Sequence, residues 1–207
     1  MATTAALLLA AGESRRMGRL KALLPWQGAT LVAHQIAALK SAGVDKVVLV
    51  LGYQADLLRA AVEPMLRGSA PVVTCTVNHQ YQQGKTTSIR AGLAAMGNTP
   101  CDTLLILNVD QPRSAEVLRR LLEAHRHGGG LITIPTHQGK GGHPIILDGS
   151  LRQELAEIDE ATQGLRAMVK RHQDSLQKVE MAEAEVLWDL NTPEQYQAAV
   201  QGQGRTP

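Results

Sequence analysis

The run Leu7-Leu8-Leu9-Ala10-Ala11-Gly12-Glu13-Ser14-Arg15-Arg16-Met17-Gly18-Arg19-Leu20-Lys21 carries a buried strand directly into a cationic loop. The stretch Ala5–Leu9 has the unbroken aliphatic character of a strand covered on both faces. Ala10, Ala11 and Gly12 end it with residues small enough to let the backbone approach a ligand, and exposed N–H groups in such a turn bind anions. Arg16 and Lys21 can then neutralise a polyphosphate, the first through its planar fork and the second as a point charge. Two familiar phosphate motifs are excluded. Gly12 and Gly18 do not fit G-x-G-x-x-G, and a P-loop needs four residues between its glycines with Lys directly after the second. Gly84-Lys85-Thr86 imitates the end of a P-loop, but the earlier glycine would fall at His79, so no ATPase is implied. It remains a glycine turn opening a helix, and so a second candidate for phosphate, ribose or base contacts through Lys85 and Ser88.

Working outward, strand-length apolar runs alternate with helical periodicity. Lys46–Leu51, Val72–Val77 and Asp102–Val109 read as strands; Leu31–Lys40, Gln54–Leu66 and Thr86–Met96 read as helices. Ser114 is placed to cap a helix running through His127, with Glu116 in its first turn. Repeated β-α-β of this kind predicts an α/β fold, a three-layer α/β/α sandwich with a mainly parallel sheet. One domain over residues 1–200 is expected, with a smaller irregular region after about residue 128. There Leu131–Pro135 and His143–Leu147 read as short strands, Leu151–Glu157 and Gln163–His172 as short helices, and Leu176–Trp188 as a strand pair. Thr192 and Pro193 begin a last helix, and residues 201–207 read as a frayed tail.

Composition restricts the function classes. Apolar residues make up 44% of the 207 residues while aromatics are only 2% and Phe is absent, so aliphatic side chains must build the core. A net charge of +2 is too small for general nucleic-acid binding; an anionic ligand must be held by a local cluster. Cys75 and Cys101 lack metal-ligand spacing and read as buried free thiols. With no basic region ahead of the first apolar run, neither a signal peptide nor a membrane span is expected, which suits a cytoplasmic protein. Of seven histidines, most, including His125 and His127, are expected at the surface; His143 stands apart in a glycine-rich loop. Trp26 and Trp188 read as partial core.

A carboxylate at the end of a buried strand, Asp110, is costly unless it projects toward a cation. Magnesium takes one or two carboxylates plus phosphate oxygens and water. Asp110 is a candidate ligand on these grounds.

The segment Leu9-Ala10-Ala11-Gly12-x-Ser14-x-Arg16-Met17-Gly18-x-x-Lys21-x-Leu23-Leu24-Pro25 closely resembles the signature of the molybdenum-cofactor nucleotidyltransferases, within the nucleotide-diphospho-sugar transferase superfamily. Four further segments resemble the family in order: Asn78–Gly84 with Ser88 and Gly92 (nucleotide base), Asp110-Gln111-Pro112 (metal), Gly142-His143-Pro144 (acceptor) and Asp189-Leu190-Asn191-Thr192-Pro193-Glu194 (second metal motif). The family often has an acidic residue where this chain has Asn191, so the resemblance implies either Asp189 or the amide Asn191 as the second metal ligand beside Asp110. The resemblance implies Mg2+, CTP or GTP as donor, molybdopterin as acceptor, and a molybdoenzyme or its chaperone downstream. It also implies cytidine rather than guanine for Ala10-Ala11-Gly12, whose Ala11 methyl would narrow the space near the base. Alternatives are a sugar or polyol phosphate as acceptor, or a non-catalytic carrier of the cofactor, which Asn191 favours.

Overall fold

The computed structural model describes residues 2–66 and 72–203. The first half runs β1 (Thr4–Ala10), β2 (Pro25–Trp26), β3 (Ala29–Thr30), α1 (Leu31–Ser41), β4 (Lys46–Leu51), α2 (Ala55–Leu66), β5 (Val72–Val77), α3 (Lys85–Met96) and β6 (Thr103–Asn108). It continues through α4 (Ala115–Gly128), β7 (Ile132–His137), β8 (Lys140–Gly141), β9 (Ile145–Asp148), α5 (Arg152–Ala156), α6 (Gly164–Arg171), β10 (Leu176–Glu180) and α7 (Pro193–Gln203). The main sheet has the order β10-β7-β9-β6-β1-β4-β5, with β8 paired to β7.

Strand alternation divides the sheet between two helical layers. Ala6, Leu8 and Ala10 of β1 join the core under α1, α2 and α4 with Leu58, Val62 and Leu118. Ala5, Leu7 and Leu9 face the other way, packing with Ile89 and Leu93 of α3, Leu155 of α5 and Met168 of α6. All seven residues of β1 are buried, which is why its sequence shows no polar alternation. The result is the expected α/β/α sandwich. Parallel pairing joins β1 to both β4 and β6, β4 to β5, and β7 to β10. β9 alone in the sheet's continuous path runs antiparallel, to β6 and to β7. A two-residue turn at Gln138 and Gly139, both at positive φ, joins β7 to β8 and pairs His137 with Lys140, and Gly142–Pro144 then leads into β9.

β1 lies between β4 and β6, so the chain leaves it toward β4 on one side and returns to β6 on the other. Loops leaving the carboxyl ends of β1 and β6 therefore diverge and open a crevice. Val109 N–H donates to Leu9 O at 2.9 Å, locking the two strand ends in register and setting Asp110 beside Ala10-Ala11-Gly12.

Three expectations need correction. Leu176–Trp188 contains one strand, not two. The β7–β10 ladder ends at Thr136 opposite Glu180, because β7 next turns into its hairpin; Met181 N–H makes the last bond to Thr136 O, and Ala184–Leu187 winds into a 3-10 turn that buries Val186. His125 is buried, its Nδ1 2.8 Å from Thr133 Oγ1, because it shares the inward face of α4 with Leu118, Leu121 and Leu122. In the supposed tail, α7 continues through Gln203; residues 204–207 lie outside the described residues. Cys75 and Cys101 are unpaired and half-buried, and burial pushes both thiols up in pKa. Trp26 is core, edge-on to Trp188. Among the described residues, no helix is long and apolar enough to cross a membrane.

Candidate active site

A cleft of about 1150 Å³ opens at the crevice between β1 and β6. The backbone from Leu9 to Gly12 forms one wall, with Lys21, Asp110 and Gln111 beside it. Gly84, Lys85 and Ser88 at the start of α3 line a second wall, and Gly142, His143, Asp189 and Asn191 a third. Three separate loops thus meet at the end of β6.

Lys21 lies at their junction. Its Nζ donates to Asp110 Oδ2 at 2.7 Å and to Asn191 Oδ1 at 2.8 Å. Ser14 Oγ accepts from Lys21 N–H at 3.1 Å, tying this residue to the loop after β1. Leu190 N–H donates to Asp110 O at 2.8 Å, so the last loop is anchored on the β6 loop. Two oxygens from segments 81 positions apart in sequence, Asp110 and Asn191, therefore share one cation. That donor set, a carboxylate and an amide carbonyl at an open cleft, suits magnesium, which takes few protein oxygens and completes its shell with phosphate and water. Asp189 lines the cleft, but its side chain is not part of the Lys21 cluster; its main-chain oxygen accepts from Asn191 N–H at 2.9 Å.

Other candidates divide by placement. Arg16 is exposed on the turn Arg15–Met17, outside the cleft lining. Asn78 is buried and spent on the turn into α3: its Nδ2 donates to Thr87 Oγ1 (2.8 Å) and Ser88 Oγ (2.9 Å), and its Oδ1 accepts from Gln80 N–H. The N-terminus of α3 is occupied by Glu160, whose Oε1 accepts from Thr86 N–H at 2.8 Å. Gln111 is buried at the cleft floor, its carbonyl bonded by Gln35 Nε2 at 2.6 Å. Pro112 and Pro144, the latter after a cis peptide, are buried behind the lining. The Ala11 methyl faces Gly52 rather than standing free in the cleft: a Cβ on Gly52 would lie 2.8 Å from it and 2.6 Å from Ala11 O.

His143 is pushed down to about 4, chiefly by burial and then by the charges of Arg113 and Lys85, so its ring is neutral at pH 7. Arg113 is a residue that sequence reasoning missed. It is fully buried directly behind the cleft, where burial lowers its pKa to about 10, leaving it protonated. An arginine between Pro112 and the helix cap Ser114 reads as a solvated turn residue, and no local pattern marks it as internal.

A sequence profile of the MobA-like NTP transferase domain matches residues 6–176, which include the loop after β1, Asp110 and the Gly142–Pro144 loop. The chain belongs to this family. The family is one of nucleotidyltransferases. Nicotine blue oxidoreductase of Paenarthrobacter nicotinovorans is 32% identical over 200 residues, 91% of this chain and 92% of that protein. Molybdenum cofactor cytidylyltransferase of Escherichia coli (strain K12) is 27% identical over 191 residues, 92% of each chain. Among solved structures, a nucleotidyl transferase from Methanothermobacter thermautotroptrophicus superposes with TM-score 0.80 at 25% identity, covering 99% of both chains.

Proposed function

We propose that this MobA-like protein transfers a cytidylyl group from CTP to the terminal phosphate of molybdopterin, with magnesium, releasing pyrophosphate. The observation that carries it is the convergence of Asp110, Asn191 and Lys21 within 2.8 Å at the mouth of the β1 loop. An acceptor phosphate oxygen forms a bond to the α-phosphorus, and the bond from that phosphorus to the β-bridging oxygen breaks, its electron pair leaving with pyrophosphate. The nucleophile is already anionic, so the protein need not remove a proton. Alignment and charge neutralisation are what remain for it to do.

Backbone groups of Ala10 to Gly12 approach the nucleotide, and Gly84, Lys85 and Ser88 flank it from α3. Lys21 exchanges Asp110 for the leaving phosphates, while Arg16 joins once the loop over residues 13–19 folds onto the triphosphate. Magnesium, held by Asp110 and Asn191, would supply Lewis-acid neutralisation of phosphate oxygens. Gln111, Gly142 and the neutral ring of His143 face the acceptor side. The choice of CTP draws on likeness to the cytidylyltransferase of E. coli. The Ala11 methyl lies toward Gly52, so the choice does not draw on it. A molybdoenzyme, or its chaperone, would receive the product.

A second reading is oxidoreduction, favoured by the 32% identity to nicotine blue oxidoreductase. Thermal melts with CTP, GTP, ATP and UTP, each with magnesium, separate the cases. At a hundredfold excess over its dissociation constant a ligand adds about 2.7 kcal/mol. Stabilisation by CTP alone, followed by pyrophosphate release with acceptor, is expected. A GTP preference would replace the donor; stabilisation without pyrophosphate release would favour a carrier; bleaching of nicotine blue with a reduced nicotinamide nucleotide and no response to triphosphates would favour oxidoreduction.

A further inference from the structure

Arg113 is a cation with no exposed surface, and its side chain is hydrogen-bonded to main-chain carbonyls alone. Its Nη1 donates to Pro112 O at 2.8 Å, its Nε to His143 O at 2.8 Å, and its second terminal nitrogen to Val186 O at 2.8 Å and Trp188 O at 3.2 Å. Those acceptors belong to three loops far apart in sequence. Pro112 is two residues past Asp110, His143 is the centre of the Gly142–Pro144 loop, and Trp188 immediately precedes Asp189-Leu190-Asn191. Around this fork, His143 N–H donates to Val186 O at 2.9 Å, and Gly142 packs so closely that a Cβ there would lie 2.3 Å from Val186 O. The backbone of Arg113 is itself pinned to α1, through Gln35 Oε1 at 3.3 Å and His34 Nε2 at 3.1 Å.

A guanidinium is suited to this task because its donors diverge in a rigid plane; an ammonium gathers its three donors on one atom and cannot span three loops. The desolvation cost of the buried charge is offset by four carbonyl dipoles and by the nearby negative charges of Glu185, Asp189 and Asp110. An apolar side chain in this position would leave those buried carbonyls without the guanidinium's donors. Arg113 does not line the cleft.

We propose that Arg113 is a positioning residue: it holds the acceptor loop and the Asp189–Asn191 segment in register with Asp110, and the acceptor half of the site is assembled around it. The functional consequence rests on the nucleotidyl-transfer reading; the geometric one does not. The Leu9–Gly12 wall and the Gly84–Ser88 turn lie on other elements, and Lys21 joins the two halves, bonded to Ser14 on one side and to Asp110 and Asn191 on the other.

The test is hydrogen exchange and steady-state kinetics on the full chain carrying Arg113→Lys or Arg113→Met, each checked by circular dichroism. Exchange of the amides of His143 and Leu190 should accelerate by about tenfold or more in both variants, while β1 and β4 stay protected. Stabilisation by CTP should fall less than the acceptor response, with acceptor KM rising and kcat falling. Lysine should not rescue. Unchanged exchange at those two amides, acceleration spread evenly over the sheet, or full rescue by lysine would each overturn the proposal. If pyrophosphate release is absent even in the unsubstituted protein, the nucleotidyl-transfer reading fails while the exchange result still decides the role of Arg113.

Discussion

Replacing Gly52 with alanine should damage the nucleotide loop from behind. Gly52 sits just past β4, where an added Cβ would meet Ala11 O at 2.6 Å, Ala11 Cβ at 2.8 Å and Ala11 Cα at 2.9 Å. Carbon atoms prefer about 3.5–4.0 Å, so something must retreat by roughly 1 Å. The obstacle is backbone, and Tyr53 N–H holds that same Ala11 oxygen at 3.0 Å. Overpacking of this kind costs about 1–3 kcal/mol, which in a chain of this size lowers Tm by roughly 2–4 °C per kcal/mol. The displaced element is the wall that receives the triphosphate, and a misplacement of about 1 Å can cost on the order of a hundredfold in rate. Gly12→Ala is the internal contrast, because a Cβ there meets nothing within 4 Å. Melts with and without CTP and magnesium should show Gly52→Ala losing both Tm and ligand response, and Gly12→Ala losing the ligand response alone. A Gly52→Ala protein with unchanged Tm and unchanged CTP stabilisation would refute the packing argument.

Lys21→Met should weaken CTP-induced stabilisation by about 1.5–3 kcal/mol, the worth of one charge-assisted hydrogen bond, in the same melts. It should also strengthen Mn2+ binding to the nucleotide-free protein, since the ammonium no longer pairs with Asp110 and Asn191; calorimetric titration would show this, and weaker binding would contradict it. Stability should depend on pH through His34, His125 and His143, all depressed below 6.5 by burial and His143 to about 4. Their contribution is complete above about pH 6.5 and is lost as pH falls toward 4, because the unfolded chain takes up protons first. His143 alone accounts for about 3 kcal/mol. Urea melts from pH 8 to 5 should therefore be flat and then fall, with His143→Gln flattening the descent.

The β-α-β order and the loop after β1 were legible because each depends on local pattern: unbroken aliphatic runs, then small and cationic residues. Asp110 was legible because a carboxylate ending such a run needs a reason. What sequence could not show is set by partners distant along the chain. Asn191 is chosen over Asp189 beside Lys21 by the anchoring of Leu190 on Asp110. The three bonds by which Asn78 braces the turn into α3, to Thr87, Ser88 and Gln80, are likewise invisible in its local sequence. Gly52 has no unusual φ, so only its neighbour Ala11 explains it. His125 was the recoverable miss, since its spacing from Leu118, Leu121 and Leu122 already placed it on the inward face of α4. Arg113 was not recoverable, since its four acceptors are backbone atoms without sequence identity.

Pyrophosphate release, measured with CTP, magnesium and molybdopterin for the unsubstituted chain and for Asp110→Ala, tests the central claim most directly. The structure leads us to expect turnover in the first and loss of it in the second, with Asp110→Ala still folded by circular dichroism. Asp110→Ala releasing pyrophosphate at the unsubstituted rate would remove Asp110 from the chemistry and contradict the site described around Lys21 and Asn191.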